Sequence, residues 1–195
     1  MSGNGDVIIR VEEFTASYGD HVVVDSIDFE VKRGEILVIL GGSGSGKSTV
    51  LKHMIGLYRP AGGRILIEGR DIGSAEGEER NSILRGIGVM YQAGALFGSM
   101  NLRENVRLPL EEFTDLPGDA MDLIATMKLS LVGLSGFENH HPAEISGGMV
   151  KRAAIARAMA LDPAVIFLDE PSAGLDPITS AELDGLIRNL SRNLG

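Results

Sequence analysis

Residues 41–48 read GGSGSGKS. The pattern is G-x-x-x-x-G-K-[ST], a phosphate-binding loop. Its flanks give it a structural context. Residues 36–40, ILVIL, form an apolar run of the length of one buried strand. Residues 49–57 carry Val50, Leu51, Met54 and Ile55 at helical spacing, so a helix should follow. A Gly/Ser linker does not end in Lys-Ser-Thr between a buried strand and an amphipathic helix. The four glycines of the loop permit turns that a Cβ would block. Those turns aim successive N–H groups at phosphate oxygens, at the positive end of the helix. Lys47 should reach the β- and γ-phosphates, and the Ser48 hydroxyl should ligate Mg²⁺. The stretch expected to hold the nucleotide is Gly41, Gly42, Ser43, Gly44, Ser45, Gly46, Lys47, Ser48 and Thr49.

The chain has 195 residues, enough for one good-sized core or a core with a small lobe. Hydrophobic residues make up 44%, which argues for a globular protein rather than a disordered one. A net charge of −9 argues against a nucleic-acid surface, which needs basic clusters. There is no cysteine, hence no disulfide framework and no Cys-ligated zinc. No apolar run approaches the ~18–20 residues that span a bilayer. The first residues, MSGNGDVIIRVEEF, lack the basic and long apolar regions of a signal peptide. The expectation is a cytosolic protein whose membrane role, if any, comes through a partner.

In chain order, residues 7–11 and 22–31 read as strands around a turn at 17–20. Residues 32–35 turn into the phosphate-loop run. Residues 60–63 break the chain, 64–69 form a short strand and 73–79 a polar loop. Residues 87–91 are another buried strand that ends at Gln92. From 98 to 161 the pattern becomes helical, in segments 101–110, 119–131 and 147–161, separated by Pro109, Pro117 and Pro142. Ser146 is a good N-cap for the last of them. Residues 165–168, VIFL, return to a buried strand, and Pro177 opens a final helix with Leu183, Leu186, Ile187, Leu190 and Leu194 on its apolar side. The fold class is therefore α/β. Its expected division is a core with a β subdomain over 1–97, a helical lobe over 98–161 and a return to the core over 162–195.

Asp169 and Glu170 close the 165–168 strand. Beside a phosphate loop, a carboxylate at a strand terminus sits close to Mg²⁺. Asp169 should hold the metal, and Glu170 should polarise the attacking water as general base. Residues 145–149, ISGGM, place two glycines behind the Ser146 cap, where free N–H groups and the helix dipole favour an anion. One chain already has its phosphate loop. A second phosphate-facing helix start is surplus unless another subunit brings its ATP there, and taken alone it reads as an ordinary capped helix.

Taken together, these motifs resemble the nucleotide-binding domain of an ABC transporter, over nearly the whole chain. GGSGSGKST is similar to the family's Walker A motif and VIFLDEP to its Walker B motif. Gln92 in VMYQAG matches the Q-loop, which implies a Mg²⁺ or water ligand and a hinge to the membrane subunit. Ser146, Gly147 and Gly148 match the signature motif, which implies contact with the γ-phosphate bound by the opposite subunit. Ser172, Ala173, Gly174, Leu175 and Asp176 match the D-loop. Tyr18 falls where the family places an aromatic against adenine, although from the residues alone a buried strand-end tyrosine is nearly as good a reading.

The resemblance implies a P-loop NTPase core with an antiparallel β subdomain and an inserted helical lobe. It implies ATP and Mg²⁺, with Glu170, Lys47 and Gln92 as catalytic residues and Ser48, Gln92 and Asp169 at the metal. It also implies a homodimer that sandwiches two ATP molecules, each held by Lys47 of one chain and Ser146, Gly147 and Gly148 of the other.

A narrower resemblance rests on Met149, where most members carry Gln, and on the segments VMYQAGALFGSMNLRENVRLPL and ISGGMVKRAAIARAMALDP. These look like the ATPase of Mla/MCE-type lipid transporters. That implies phospholipid transport across a bacterial envelope, from the cytoplasmic face of the inner membrane. The implied partners are an integral membrane permease, an MCE-domain protein and a STAS-like subunit. Other readings are the ATPase of a polar-solute importer, a soluble ABC ATPase acting on ribosomes or DNA, and a non-hydrolysing regulatory module. The acidic charge and single cassette weigh against the second of these, and the presence of Lys47, Gln92 and Glu170 against the third. His140 and His141 read as a solvated loop pair rather than metal ligands, and His21 and His53 have no partner visible in the sequence. No histidine follows Asp176, where the family carries its switch histidine. On that comparison the chain reads as C-terminally truncated. The expectation is a less stable, weakly active or inactive form, with residues 36–40 and 165–168 short of a strand partner.

Overall fold

The computed structural model describes residues 6–42 and 44–194. It divides into two compact units, Met1–Leu84 with Leu190–Gly195, and Arg85–Asn189. In the first unit, β1 (Val7–Tyr18) and β2 (His21–Lys32) form an antiparallel hairpin. β3 (Gly62–Ile67) pairs on the other side of β1, and the two-residue β4 (Arg70–Asp71) completes the sheet in the order β2-β1-β3-β4. β1 runs seven residues beyond the expected end at Val11. The pair Glu12-Glu13 interrupts the apolar alternation there, and the structure absorbs the interruption in a bulge. Val11 pairs with Phe29 and Phe14 with Ile27, so the stretch from 11 to 14 faces the shorter stretch from 27 to 29. Glu13 takes φ 46° and donates its N–H to Asp28 Oδ1 at 2.8 Å. The bulge returns Phe14 and Ala16 to the face that buries Ile9 and Val11. Gly63 crosses this point with φ 70°, where a Cβ would lie 2.2 Å from the Glu12 carbonyl oxygen. No other residue fits there.

α1 (Lys47–Met54) packs Val50, His53 and Met54 inward. His53, unpartnered in the sequence, is buried. Its Nδ1–H donates to the Thr49 carbonyl at 2.7 Å, and its ring meets Phe14 edge-on at 5.1 Å. Residues 36–40 correct the sequence reading. They form no strand, and their side chains stand exposed, Val38 by 65% and Leu40 by 87%. A strand exists through its ladder, and among the described residues 36–40 has none. The polar 73–79 stretch also differs, because its end starts α2 (Gly77–Arg85). Only Ile83 of that helix is buried, so the sequence offered almost no apolar period to detect.

In the second unit β5 (Ile87–Met90) and β6 (Val165–Leu168) pair in parallel. β6 has one neighbour among the described residues. Phe167 is buried as expected but Ile166 is 37% exposed. α3 (Leu102–Phe113), α4 (Gly118–Leu131) and α5 (Gly147–Ala158) pack on one another, and α6 (Pro177–Leu194) begins in this unit. Asn101 and Glu104 close a capping box on α3. Pro109 does not end that helix, as its position suggested, but sits inside it. The missing N–H is tolerated because Leu102, Val106 and Leu110 are buried on both sides of it, at about 1.5–3 kcal/mol for each large side chain. Gly88 brings β5 against the end of α5, where a Cβ would lie 2.2 Å from the Ala158 carbonyl oxygen. Among the described residues no helix is long and apolar enough to cross a membrane.

Candidate nucleotide site

The phosphate loop adopts the backbone its glycines allow. Gly44 and Gly46 have φ of 80° and 89°, the left-handed region. Gly46 is the N-cap of α1, and a Cβ there would press on Val24 at 3.1 Å and Val23 at 3.3 Å. At Gly41 a Cβ would meet Ser45 Oγ at 2.4 Å. α1 has no side-chain cap and no acidic residue in its first turn, so its leading N–H groups keep their capacity for an anion. The Lys47 ammonium folds back over the loop and donates to the carbonyls of Gly41 at 2.8 Å and Gly42 at 3.0 Å. Gly42, Ser45 and Ser48 are exposed and Thr49 is half-buried. Ser43 lies outside the described residues. Left-handed glycines, an open helix start and a cation above them suit a polyphosphate. Tyr18, at the end of β1, is 47% exposed and meets Tyr58 edge-on at 6.1 Å.

The second unit gathers the other predicted residues. Asp169 extends the parallel ladder, its N–H donating to the Met90 carbonyl at 2.9 Å. Glu170 follows with φ 45°, a conformation a non-glycine residue adopts at a cost of about 1–3 kcal/mol. Gln92 Nε2 donates to Glu170 Oε2 at 2.7 Å. A carboxylate only accepts, so the Gln92 amide oxygen is turned away and remains available. Among the described residues no cluster of three or more His, Cys, Asp and Glu could hold a metal. The hydroxyl of Ser48, the amide oxygen of Gln92 and the carboxylate of Asp169 are hard oxygen donors of the kind Mg²⁺ takes alongside phosphate and water.

Two residues that sequence reasoning missed stand behind Gln92. Lys151 of α5 is 7% exposed and donates to the Gln92 main-chain carbonyl. Burial pulls its ammonium below the ordinary lysine range, and Asp169 and then Glu170 pull it back up. Arg157 donates to the carbonyls of Ala95 at 2.7 Å and Gly94 at 2.9 Å. The sequence signal was faint. VKRAAIARA is alanine-rich, and nothing in it says which of its cations turn inward.

Ser146 caps α5 as expected, its Oγ accepting from Met149 N–H at 3.3 Å. Ser146 and Gly147 are exposed, whereas Gly148 is buried, and a Cβ there would lie 2.6 Å from Thr179 Cγ2. Asp176 caps α6, with Oδ1 accepting from the N–H groups of Ile178 at 3.0 Å and Thr179 at 3.1 Å. The Thr179 hydroxyl also donates to Oδ2 at 2.5 Å, and these bonds hold the carboxyl below the usual range. Arg152 of α5 bonds Glu182 of α6 at 3.0 Å. His140 is half-buried, with its ring 5.0 Å from Phe137. Its carbonyl accepts from Leu102 at the start of α3, so it is less solvated than the loop composition suggested.

A glycine loop opening a helix, a carboxylate pair at a strand end and a capped Ser-Gly-Gly helix start define a phosphate-loop nucleotide-binding protein of the ABC class. The family described as "ABC transporter" matches residues 24–173, and the chain belongs to it. It is 46% identical over 188 residues to the "Probable ribonucleotide transport ATP-binding protein mkl" of Mycobacterium leprae, covering 96% of this chain and 54% of that protein. It is 42% identical over 187 residues to the "Intermembrane phospholipid transport system ATP-binding protein MlaF" of Haemophilus influenzae, covering 96% of this chain and 71% of that protein. The fold matches the dimeric post-hydrolysis structure of the ATP-binding cassette MJ0796 bound to ADP and Pi. That match has 31% identity and a TM-score of 0.82, over 94% of this chain and 82% of that one. The chain spans about half the length of the first of these relatives.

Proposed function

We propose that the chain is the ATP-binding and hydrolysing part of an ABC transporter subunit that powers phospholipid transport across a bacterial envelope. The observation that carries hydrolysis is the Gln92–Glu170 hydrogen bond of 2.7 Å beside Asp169. It presents a carboxylate at a strand end with its orientation already set. Lys47 leaves the Gly41 and Gly42 carbonyls to neutralise the β- and γ-phosphates, while the N–H groups of residues 42–49 receive the phosphate oxygens. Tyr18 stacks on adenine. Glu170 accepts a proton from the attacking water. Mg²⁺, held by Ser48, Gln92 and Asp169, would neutralise charge on the phosphates. Ser146 and Gly147, exposed at the start of α5, with Gly148 behind them, face the nucleotide of a second copy. The helical block 98–161 is the lobe that carries this signature, between core segments 1–97 and 162–195.

Support for the lipid as cargo comes from the name of the Haemophilus relative and from Met149 in the signature. The partners are then a second ATPase subunit, an integral permease, an MCE-domain protein and a STAS-like subunit, at the cytoplasmic face of the inner membrane. A polar-solute importer is the second reading, favoured by the name of the mycobacterial relative. Co-purification of the full subunit with its permease, followed by reconstitution, separates them. Phospholipid should raise the ATPase rate and exchange between membranes in an ATP-dependent way. Stimulation by ribonucleotide, with no lipid movement, would overturn the lipid reading.

A further inference from the structure

The loop after β5 carries Gln92 on a backbone that its own bonds hold only in part. Gly94 and Ala95 both lie in the left-handed region, with φ of 77° and 49°. Around Gln92 the main-chain turn bond runs from Gly94 N–H to the Tyr91 carbonyl at 2.7 Å, while further along Met100 N–H bonds the Phe97 carbonyl at 3.1 Å and the Asn105 side chain of α3 bonds Phe97 and Met100. Three further carbonyls, those of Gln92, Gly94 and Ala95, accept from Lys151 and Arg157 of a single helix, α5. The same helix closes on the loop sterically. A Cβ at Gly94 would lie 3.1 Å from Val150 Cγ1 and 3.5 Å from the Ala154 Cβ. Among the described residues neither Lys151 nor Arg157 forms an ion pair, although Lys151 is 7% exposed. A cation removed from water is costly unless its donors are used and opposite charge lies near it. Here Lys151 gives a donor to the Gln92 carbonyl with Asp169 and Glu170 as the nearby opposite charge, and Arg157 gives two donors to loop carbonyls.

We propose that Lys151 and Arg157 are positioning residues that lock the Gln92 loop to the signature helix. Gln92 is then presented to Glu170, and a displacement of the helix start moves Gln92 without slack. α5 has 12 residues, so it is a rod of about 18 Å. Ser146 and Gly147 stand at its start, Lys151 lies one turn in and Arg157 lies at its far end. The proposal rests on the hydrolytic reading for its consequence, but not for the clamp itself.

The test uses Lys151→Met, which keeps the apolar stem and removes the donor, and Lys151→Arg, which keeps a donor. Amide hydrogen exchange of Gly94, whose N–H closes the turn on the Tyr91 carbonyl between the braced carbonyls, is measured without nucleotide, beside melting temperature. Lys151→Met should exchange there at least ~10-fold faster, as expected for the loss of a hydrogen bond to a charged donor. Lys151→Arg should restore most of the protection. In turnover, Lys151→Met should lower kcat ~10-fold at an unchanged KM for ATP, because it misplaces Gln92 and leaves the phosphate loop intact. If Lys151→Met does not fold, Arg157→Lys, which loses the two-carbonyl fork and keeps the charge, takes its place with the same readouts. Wild-type exchange at the Gly94 amide would overturn the clamp. So would a rise in KM with kcat unchanged. A wild-type protein that hydrolyses no ATP but loses loop protection on substitution would overturn the hydrolytic reading and leave the clamp standing.

Discussion

The phosphate loop and the Gln92 loop both follow an apolar, strand-like run, yet they are secured in opposite ways. The phosphate loop is held by itself. Lys47 bonds two of its carbonyls, and Ser45 N–H reaches Gly42 O at a long 3.3 Å. The run before it, residues 36–40, has no ladder among the described residues. The Gln92 loop follows a paired strand and is braced from outside by α5. In the first loop the N–H groups at the start of α1 stay open. In the second the carbonyls are occupied. The difference separates a cradle waiting for an anion from a part whose geometry is set before any ligand arrives.

The largest expected effect lies on the braced side. Glu170→Gln keeps an acceptor for Gln92 and removes the base, so ATP binding should persist. Turnover of the full subunit should fall ~10²–10⁴-fold, read by comparing ATPase rate with nucleotide affinity. A wild-type rate would remove Glu170 from the chemistry. Lys47→Ala strikes the self-held loop. Losing a charge-assisted contact to phosphate should weaken ATP binding ~10–100-fold by titration, and unchanged affinity would break the cradle reading.

Gly147→Asp tests the signature more cleanly than a change at Gly148, where the new Cβ would strike Thr179. At Gly147 the nearest atom is 3.8 Å away on Leu175. The added carboxylate should leave the melting temperature within a few degrees and weaken ATP-driven dimerisation ~10-fold or more through like-charge repulsion. Normal dimerisation on a sizing column would contradict the trans contact.

The smallest effect concerns Asp176. Its folded pKa is depressed, so its contribution to stability is fully present above the unfolded value and is lost as pH falls through the folded value. Asp176→Ala should melt slightly below wild type at neutral pH, and the gap should close in acid. A gap that widens in acid would contradict the cap.

Much of this was legible in the sequence. The glycine loop, the Ser146 cap, β6 with Asp169 and Glu170, and the helix from Pro177 all announce themselves through local chemistry. Other features depend on what the chain packs against. Residues 36–40 look like a strand, but strand formation needs a neighbour. Glu12-Glu13 hides a bulge that keeps β1 going to Tyr18. Pro109 looks like a break, and buried side chains on either side carry the helix through it. The Lys151 and Arg157 contacts were invisible because a cation in an alanine-rich helix shows its direction only once folded.

The central claim is that the loop at 41–48 is an open anion cradle while the Gln92 loop is preformed. Hydrogen exchange with and without Mg²⁺ and ATP tests both halves at once. The amides of Lys47, Ser48 and Thr49, in the uncapped first turn of α1, should exchange rapidly in the free protein and slow at least ~10-fold with nucleotide, and Lys47→Ala should remove most of that slowing at Ser48 and Thr49. The Gly94 amide, bonded to the Tyr91 carbonyl at 2.7 Å inside the braced loop, should be protected in both states. Equal protection of these two sets of amides without nucleotide, or no nucleotide-dependent slowing at residues 47–49, would contradict the account.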